Sequence, residues 1–72
     1  MANPAKKFRV GFVTATVWKN KSEGSSFFTV NIQRSYKDKD GEWQSSDGLG
    51  HGDLLNAAKV LTRAEAWIAE QE

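Results

Sequence analysis

The chain has 72 residues, a net charge of +1 and no cysteine, which excludes a disulfide framework and any cysteine-built metal site. A single domain of this size buries only about 60% of its unfolded surface, so self-association is the expected source of further stability. No apolar run reaches membrane-spanning length and no signal-peptide core stands near the start, so an intracellular protein of cytoplasm, nucleoid or nucleus is expected.

Residues 1–7, "MANPAKK", read as a flexible basic tail ending in Lys6 and Lys7. "FRVGFVTATVW" (8–18) has the β-branched and aromatic composition of a strand. Gly11 within it marks a bulge or bend that splits the run in two. "KNKSEGSS" (19–26) is polar, contains a glycine and reads as a turn. Residues 27–36 form a second long strand, closed by "KDKDG". There Asp40-Gly41 predicts a two-residue hairpin turn with positive φ at both positions. Residues 42–46 give a short returning strand.

From Asp53 the period changes. Ala57, Val60, Leu61, Ala64, Trp67 and Ile68 follow helical spacing and form one apolar stripe nearly to the end of the chain. Asp53 suits the first helical turn, where a carboxylate complements the dipole. Thr62 and Glu65 have the spacing of a capping box at which a helix can restart, but the unbroken stripe favours one helix. The predicted fold is α+β: a small antiparallel sheet of three to four strands and one C-terminal helix packed on one face, ββββα, over residues 8–72. One helix covers one face, leaving the other for solvent, a second subunit or a ligand.

Charge is polarised along the chain. Up to Lys39 there are eight basic and two acidic residues, and from Asp40 two basic and seven acidic, so the parts carry +6 and −5. Such a map suggests a basic surface for a polyanion, although the halves can equally attract one another.

Strand alternation then sorts the side chains. Phe28, Val30 and Ile32 share the core parity, as do Val13, Ala15 and Val17. The opposite parity places Phe12, Trp18 and Phe27 among Thr14, Thr16, Thr29, Asn31 and Gln33, with Arg9, Lys19, Lys21, Arg34 and Lys37 at strand ends and loops around them. Rings on an open sheet with cations nearby suit a single-stranded nucleic acid, whose bases stack while the cations follow the phosphates. A protein–protein interface is the competing use of the same patch.

Other chemistry has less to stand on. Asp47, His51 and Asp53 lie close in sequence, but one histidine with two carboxylates is a poor donor set for structural zinc. Gly48, Gly50 and Gly52 suit a strand-to-helix connection better than a phosphate cradle, because Asp47 and Asp53 would repel the anion. The lone His51 has no serine–acid pairing and a thin core offers no deep pocket, so neither catalysis nor a cofactor is expected.

"RSYKDKDGEW" (34–43) resembles the hairpin of the positive-cofactor-four family of transcriptional coactivators, in which an Arg-x-Tyr ends one strand and an acidic turn with Gly-Glu and a large apolar residue opens the next. "FRVG" (8–11) resembles that family's first-strand entry, "FTVNI" (28–32) its central strand, and Gly48-Leu49 the Gly-Ile step before its helix. The resemblance implies a ββββα fold, dimerisation through helix and sheet ends, and single-stranded DNA on the curved sheet, with Arg9, Arg34, Tyr36 and Trp43 at or near the DNA. The chain departs from the pattern where Ser45, Ser46 and Asp47 replace the cations before the Gly-Ile step, which implies weaker phosphate contact there. Its hairpin is also one residue shorter. Pur- and Whirly-type ββββα repeats bind single strands as well.

The sequence therefore predicts a homodimer, paired through its C-terminal helix, that binds single-stranded DNA, with RNA a possible ligand, and acts with low specificity in transcription or replication. Lys6, Lys7, Arg9, Lys19, Lys21, Arg34 and Lys37 would contact phosphates, and Phe12, Trp18, Phe27, Tyr36 or Trp43 would stack on bases. The alternative is a protein-interaction module that uses the aromatic face and binds no nucleic acid.

Overall fold

A computed structural model describes residues 3–71. Four strands, β1 (Lys6–Val10), β2 (Val13–Ser22), β3 (Ser25–Lys37) and β4 (Trp43–Ser46), form one antiparallel sheet in the order β1-β2-β3-β4. A 3-10 turn, His51–Asp53, leads into a single helix, α1 (Leu54–Gln71). This is the expected ββββα arrangement, a meander with one helix on one face.

Gly11 does split the first apolar run. Val10 pairs with Val13 across the two-residue loop Gly11-Phe12, in which only Gly11 has positive φ (61°). Glycine at the first of two loop positions is the pattern of a type II′ hairpin. A Cβ at Gly11 would also sit 2.9 Å from the Asn56 amide nitrogen, so this turn lies directly against the start of α1.

The segment expected as a turn at 19–26 is instead mostly strand. β2 and β3 pair as far as Ser22 with Ser25, leaving only Glu23-Gly24 as the loop, with φ of 37° and 86°. Positive φ at both positions matches the right-handed twist of the strands it joins, so two residues suffice where eight are expected from composition. At the other end the expected Asp40-Gly41 two-residue turn is replaced by a longer loop. Asp38 donates its N–H to the Glu42 carbonyl at 2.9 Å, Gly41 donates to the Asp38 carbonyl at 3.1 Å, and only Gly41 has positive φ. The Asp38 carboxylate organises this loop by accepting from the Asp40 and Glu42 N–H groups at 2.9 and 3.0 Å and from Gln44 Nε2 at 3.0 Å. These bonds favour the ionised form, led by the Glu42 N–H, and hold the Asp38 pKa below its ordinary value.

The N-terminal boundary also shifts. Lys6 and Lys7, expected in the tail, pair with Val17 and Thr16, and Ala5 N–H donates to the Val17 carbonyl at 2.8 Å. Pairing with an already extended partner outweighs their weak strand preference. Of the expected tail, residues 1 and 2 lie outside the described residues.

The core is a small cluster of Val13, Ala15, Ala57 and Val60, flanked by Phe8, Val10, Val30, Ile32 and Leu49. Val17 and Ala64 are also buried. Small side chains on β2 let α1 lie close, and the helix packs mainly across β1 and β2. Its far end is anchored on β3, where Trp67 meets the Phe28 ring edge-on at 5.7 Å and 84°. Such a pair adds roughly 0.5–1.5 kcal/mol beyond its burial. The helix is continuous through Thr62, whose hydroxyl donates to the Ala58 carbonyl at 2.8 Å. No helix among the described residues is long and apolar enough to cross a membrane.

Candidate nucleic-acid interface

Charge is segregated by element. The four strands contain Lys6, Lys7, Arg9, Lys19, Lys21, Arg34 and Lys37 but no aspartate or glutamate. Among the described residues the carboxylates lie in the loops and the helical segment.

The ladder register then fixes which face each side chain takes. Helix-side Val13, Ala15 and Val17 sit opposite Arg34, Ile32 and Val30, while Thr14, Thr16 and Trp18 sit opposite Gln33, Asn31 and Thr29. Asn20 faces Phe27, so Phe27 shares the open face with Trp18, one diagonal step away. Lys7 and Arg9 join that face opposite Thr16 and Thr14, and Lys37 joins it opposite Trp43. The open face thus brings together Lys7, Arg9, Trp18, Phe27, Lys37 and Trp43, with Phe12 projecting from the adjoining turn.

The remaining predicted residues, Lys6, Lys19, Lys21, Arg34 and Tyr36, have the helix-side parity. Lys6 lies over the Phe8 ring at 5.9 Å and Lys19 over Phe28 at 6.0 Å, so both shield the rim of the core. Arg34 lies over Tyr36, 5.3 Å from its centroid, and pairs with Asp53, Nε to Oδ2 at 3.4 Å. The contact is an ion pair without hydrogen-bond geometry, and Arg34 Nε has no hydrogen-bond partner among the described residues. Asp53 Oδ2 also accepts the Gly50 N–H at 3.0 Å. Arg34 therefore joins β3 to the turn that starts α1, a structural role that its place in the predicted rim did not reveal.

The open face carries two aromatic clusters. At the β2–β3 hairpin end Trp18 is half-buried and Phe27 exposed, while Asn20 Nδ2 donates to Thr29 Oγ1 at 3.0 Å beside them. At the β4 end Phe12 and Trp43 are tilted rings 5.9 Å apart, each about half exposed. Lys37 Nζ stands 5.4 Å from the Trp43 centroid. Arg9, Ser35 and Trp43 border a hollow of about 380 Å³ on this side. Arg9 Nε donates to the Gly11 carbonyl at 2.9 Å, which holds the guanidinium beside the turn.

A second hollow of about 320 Å³ lies at the sheet end, lined by Phe12, Arg34, Ser35, Tyr36, Lys37, Trp43 and Asp53. It draws on both strand parities because β3 runs on past the β1–β2 turn there. Tyr36, though of helix-side parity, thereby reaches the same end of the molecule as Trp43. In sequence Asp53 stands out as a helix-start residue and as a neighbour of Asp47 and His51, never as a partner of Arg34. Its pairing with Arg34 spans nineteen positions, and no local pattern signals it.

Compared with known proteins, the chain matches no family model, no curated protein and no solved structure.

Proposed function

We propose that this chain binds single-stranded nucleic acid, DNA foremost, on the open face of its sheet, with low sequence specificity and in the service of transcription or replication. The observation that carries the reading is the absence of any carboxylate from strands that present exposed rings beside Arg9 and Lys37. Rings accept any base, and cations follow the backbone whatever its sequence.

The test is fluorescence anisotropy of a mixed-sequence single strand of about twenty nucleotides at several salt concentrations, with a duplex control; this length exceeds the roughly 4–16 nucleotides of comparable single-strand sites. The expected result is single-strand preference with log affinity falling linearly with log salt. Arg9→Glu with Lys37→Glu should abolish most of the binding and flatten the slope by about 0.7 for each phosphate no longer neutralised. Arg34 is kept out of this variant because its charge is paired with Asp53. Absence of binding at low salt by a folded sample would transfer the aromatic face to a protein partner.

The predicted second copy of the chain belongs to the same proposal. Because α1 covers mainly β1 and β2, Val30 on β3 and Leu61, Ala64, Ile68 and Ala69 on α1 border a largely apolar hollow of about 290 Å³, with Glu65 also in its lining. The buried core is made only of valine and alanine, and burying this strip against its own copy would enlarge it. Sedimentation equilibrium should give a dimer that Leu61→Glu converts to a folded monomer. A monomeric wild type at high concentration would refute the pairing.

A further inference from the structure

The two aromatic clusters are separated by a stretch with a different chemistry. Phe12 sits in the loop just before β2 and Trp18 lies six residues further on, roughly 20 Å at the rise of about 3.3 Å per strand residue. Between them the open face of β2 and β3 carries Thr14 opposite Gln33 and Thr16 opposite Asn31, four uncharged polar side chains without a ring, flanked on β1 by Arg9 and Lys7. The sheet is long enough for both clusters to be occupied together, as the molecule extends 47 Å along its longest axis.

We infer that one chain holds one strand at two separate stacking subsites, Phe12–Trp43 and Trp18–Phe27, bridged across a polar floor where bases meet hydroxyl and amide groups. This inference rests on the proposed single-strand binding and adds a ligand length to it. At a rise of about 3.4 Å per nucleotide, bridging 20 Å takes roughly six nucleotides, and an extended strand needs fewer. A dinucleotide can fill only one subsite. Once the strand reaches both, the second contact becomes intramolecular and affinity rises by more than added length alone would give. The cations are unequally shared, since Arg9 and Lys37 stand beside Phe12–Trp43 and only Lys7, opposite Thr16, stands near Trp18. The Phe12–Trp43 subsite therefore captures short ligands first.

The experiment is a series of oligothymidylates from two to about twelve nucleotides, titrated at fixed low salt into the full chain and read by intrinsic tryptophan fluorescence and calorimetry. The length range brackets the estimated span of roughly six. The expected result is a step of about 100-fold in affinity between roughly three and seven nucleotides, with one strand bound per chain. Trp18→Ala should remove the step and lower the affinity of the shortest oligomers only slightly, since the Phe12–Trp43 subsite still takes them. Trp43→Ala should remove the step and weaken the shortest oligomers as well.

A smooth rise with length in the wild-type protein would overturn the two-subsite inference while leaving single-strand binding intact. A step that persists in Trp18→Ala, folded by circular dichroism, would overturn it equally. If a twenty-nucleotide strand fails to bind at low salt, the underlying reading falls and the inference with it. The wild-type series decides the matter even where a variant does not fold.

Discussion

The two faces of this sheet are made by the same strands, yet they answer to different physics. On the helix side Val13, Ala15 and Val17 are fully buried, and size is what matters: small side chains admit α1. On the open side Thr14, Thr16 and Trp18 alternate with them at half burial, and what matters is what can be offered to a flat, charged partner. Adjacent Phe27 and Phe28 put the contrast into one dipeptide. Phe28 meets Trp67 edge-on under the helix, whereas Phe27 is half exposed on the other side. The comparison teaches that a residue's chemistry here is decided by its parity more than by its type. Arg9 and Arg34, both expected on a cationic rim, make the same point. One is displayed on the open face and the other pairs with Asp53 beneath the sheet.

The comparison breaks most completely from the inside. Val60→Asp places an unpaired carboxylate in the fully buried centre of the helix–sheet contact. The cost is several kcal/mol, comparable with the whole stability expected of a small domain, and thermal melting by circular dichroism should show no cooperative transition. The phenylalanine pair sharpens the contrast. Phe28→Ala should cost about 2–3 kcal/mol in urea unfolding, less than a fully buried ring because Phe28 is only partly covered. Phe27→Ala should change stability by less than about 0.5 kcal/mol and lower single-strand affinity by roughly 5- to 150-fold. Equal effects of the two substitutions on both measurements would contradict the assignment of faces.

Smaller effects sit in the turns. Glu23 takes a φ of 37°, unfavourable for a side chain of its kind, at the first position of a loop that favours asparagine. Glu23→Asn should stabilise the fold by about 0.5–1 kcal/mol without altering either face. Its unfolding midpoint in urea should rise with an unchanged slope.

The smallest effect is expected at Asp38. Its folded pKa lies below the ordinary value of 3.8, so its contribution is complete above the unfolded pKa and is lost as pH falls through the folded one. The Gln44 side-chain amide resonance should therefore stay constant near neutral pH and shift only below about pH 4, and Asp38→Asn should remove that shift. A transition near neutral pH would mean that another group controls the loop.

Much of the architecture is legible in the sequence. Periodicity locates the single helix, and β-branched runs locate the long strands. Alternation separates Phe27 from Phe28 and places Trp18 with Phe27, and the ladder register agrees. The same alternation, continued past the apolar residues, puts Lys19, Lys21, Arg34 and Tyr36 on the helix side, since each keeps the parity of the core residues before it. The signal is present, but charge at a strand end resembles loop composition and masks it. The turn errors have a different origin. "KNKSEGSS" has turn composition throughout, and only the ladder that sets Lys19 and Asn20 against Phe28 and Phe27, and Lys21 and Ser22 against Ser26 and Ser25, makes six of its eight positions extended.

The sequence by itself determined the element types and the core parity, because these follow from local composition and from fixed periods of two and 3.6. The tertiary structure alone decided that Arg34 is tied to Asp53, that Phe12 meets Trp43 across β3, and that the two aromatic clusters stand apart on one face. Each of these joins residues distant along the chain. Their approach is set by register, turn length and sheet twist together, which no local window contains.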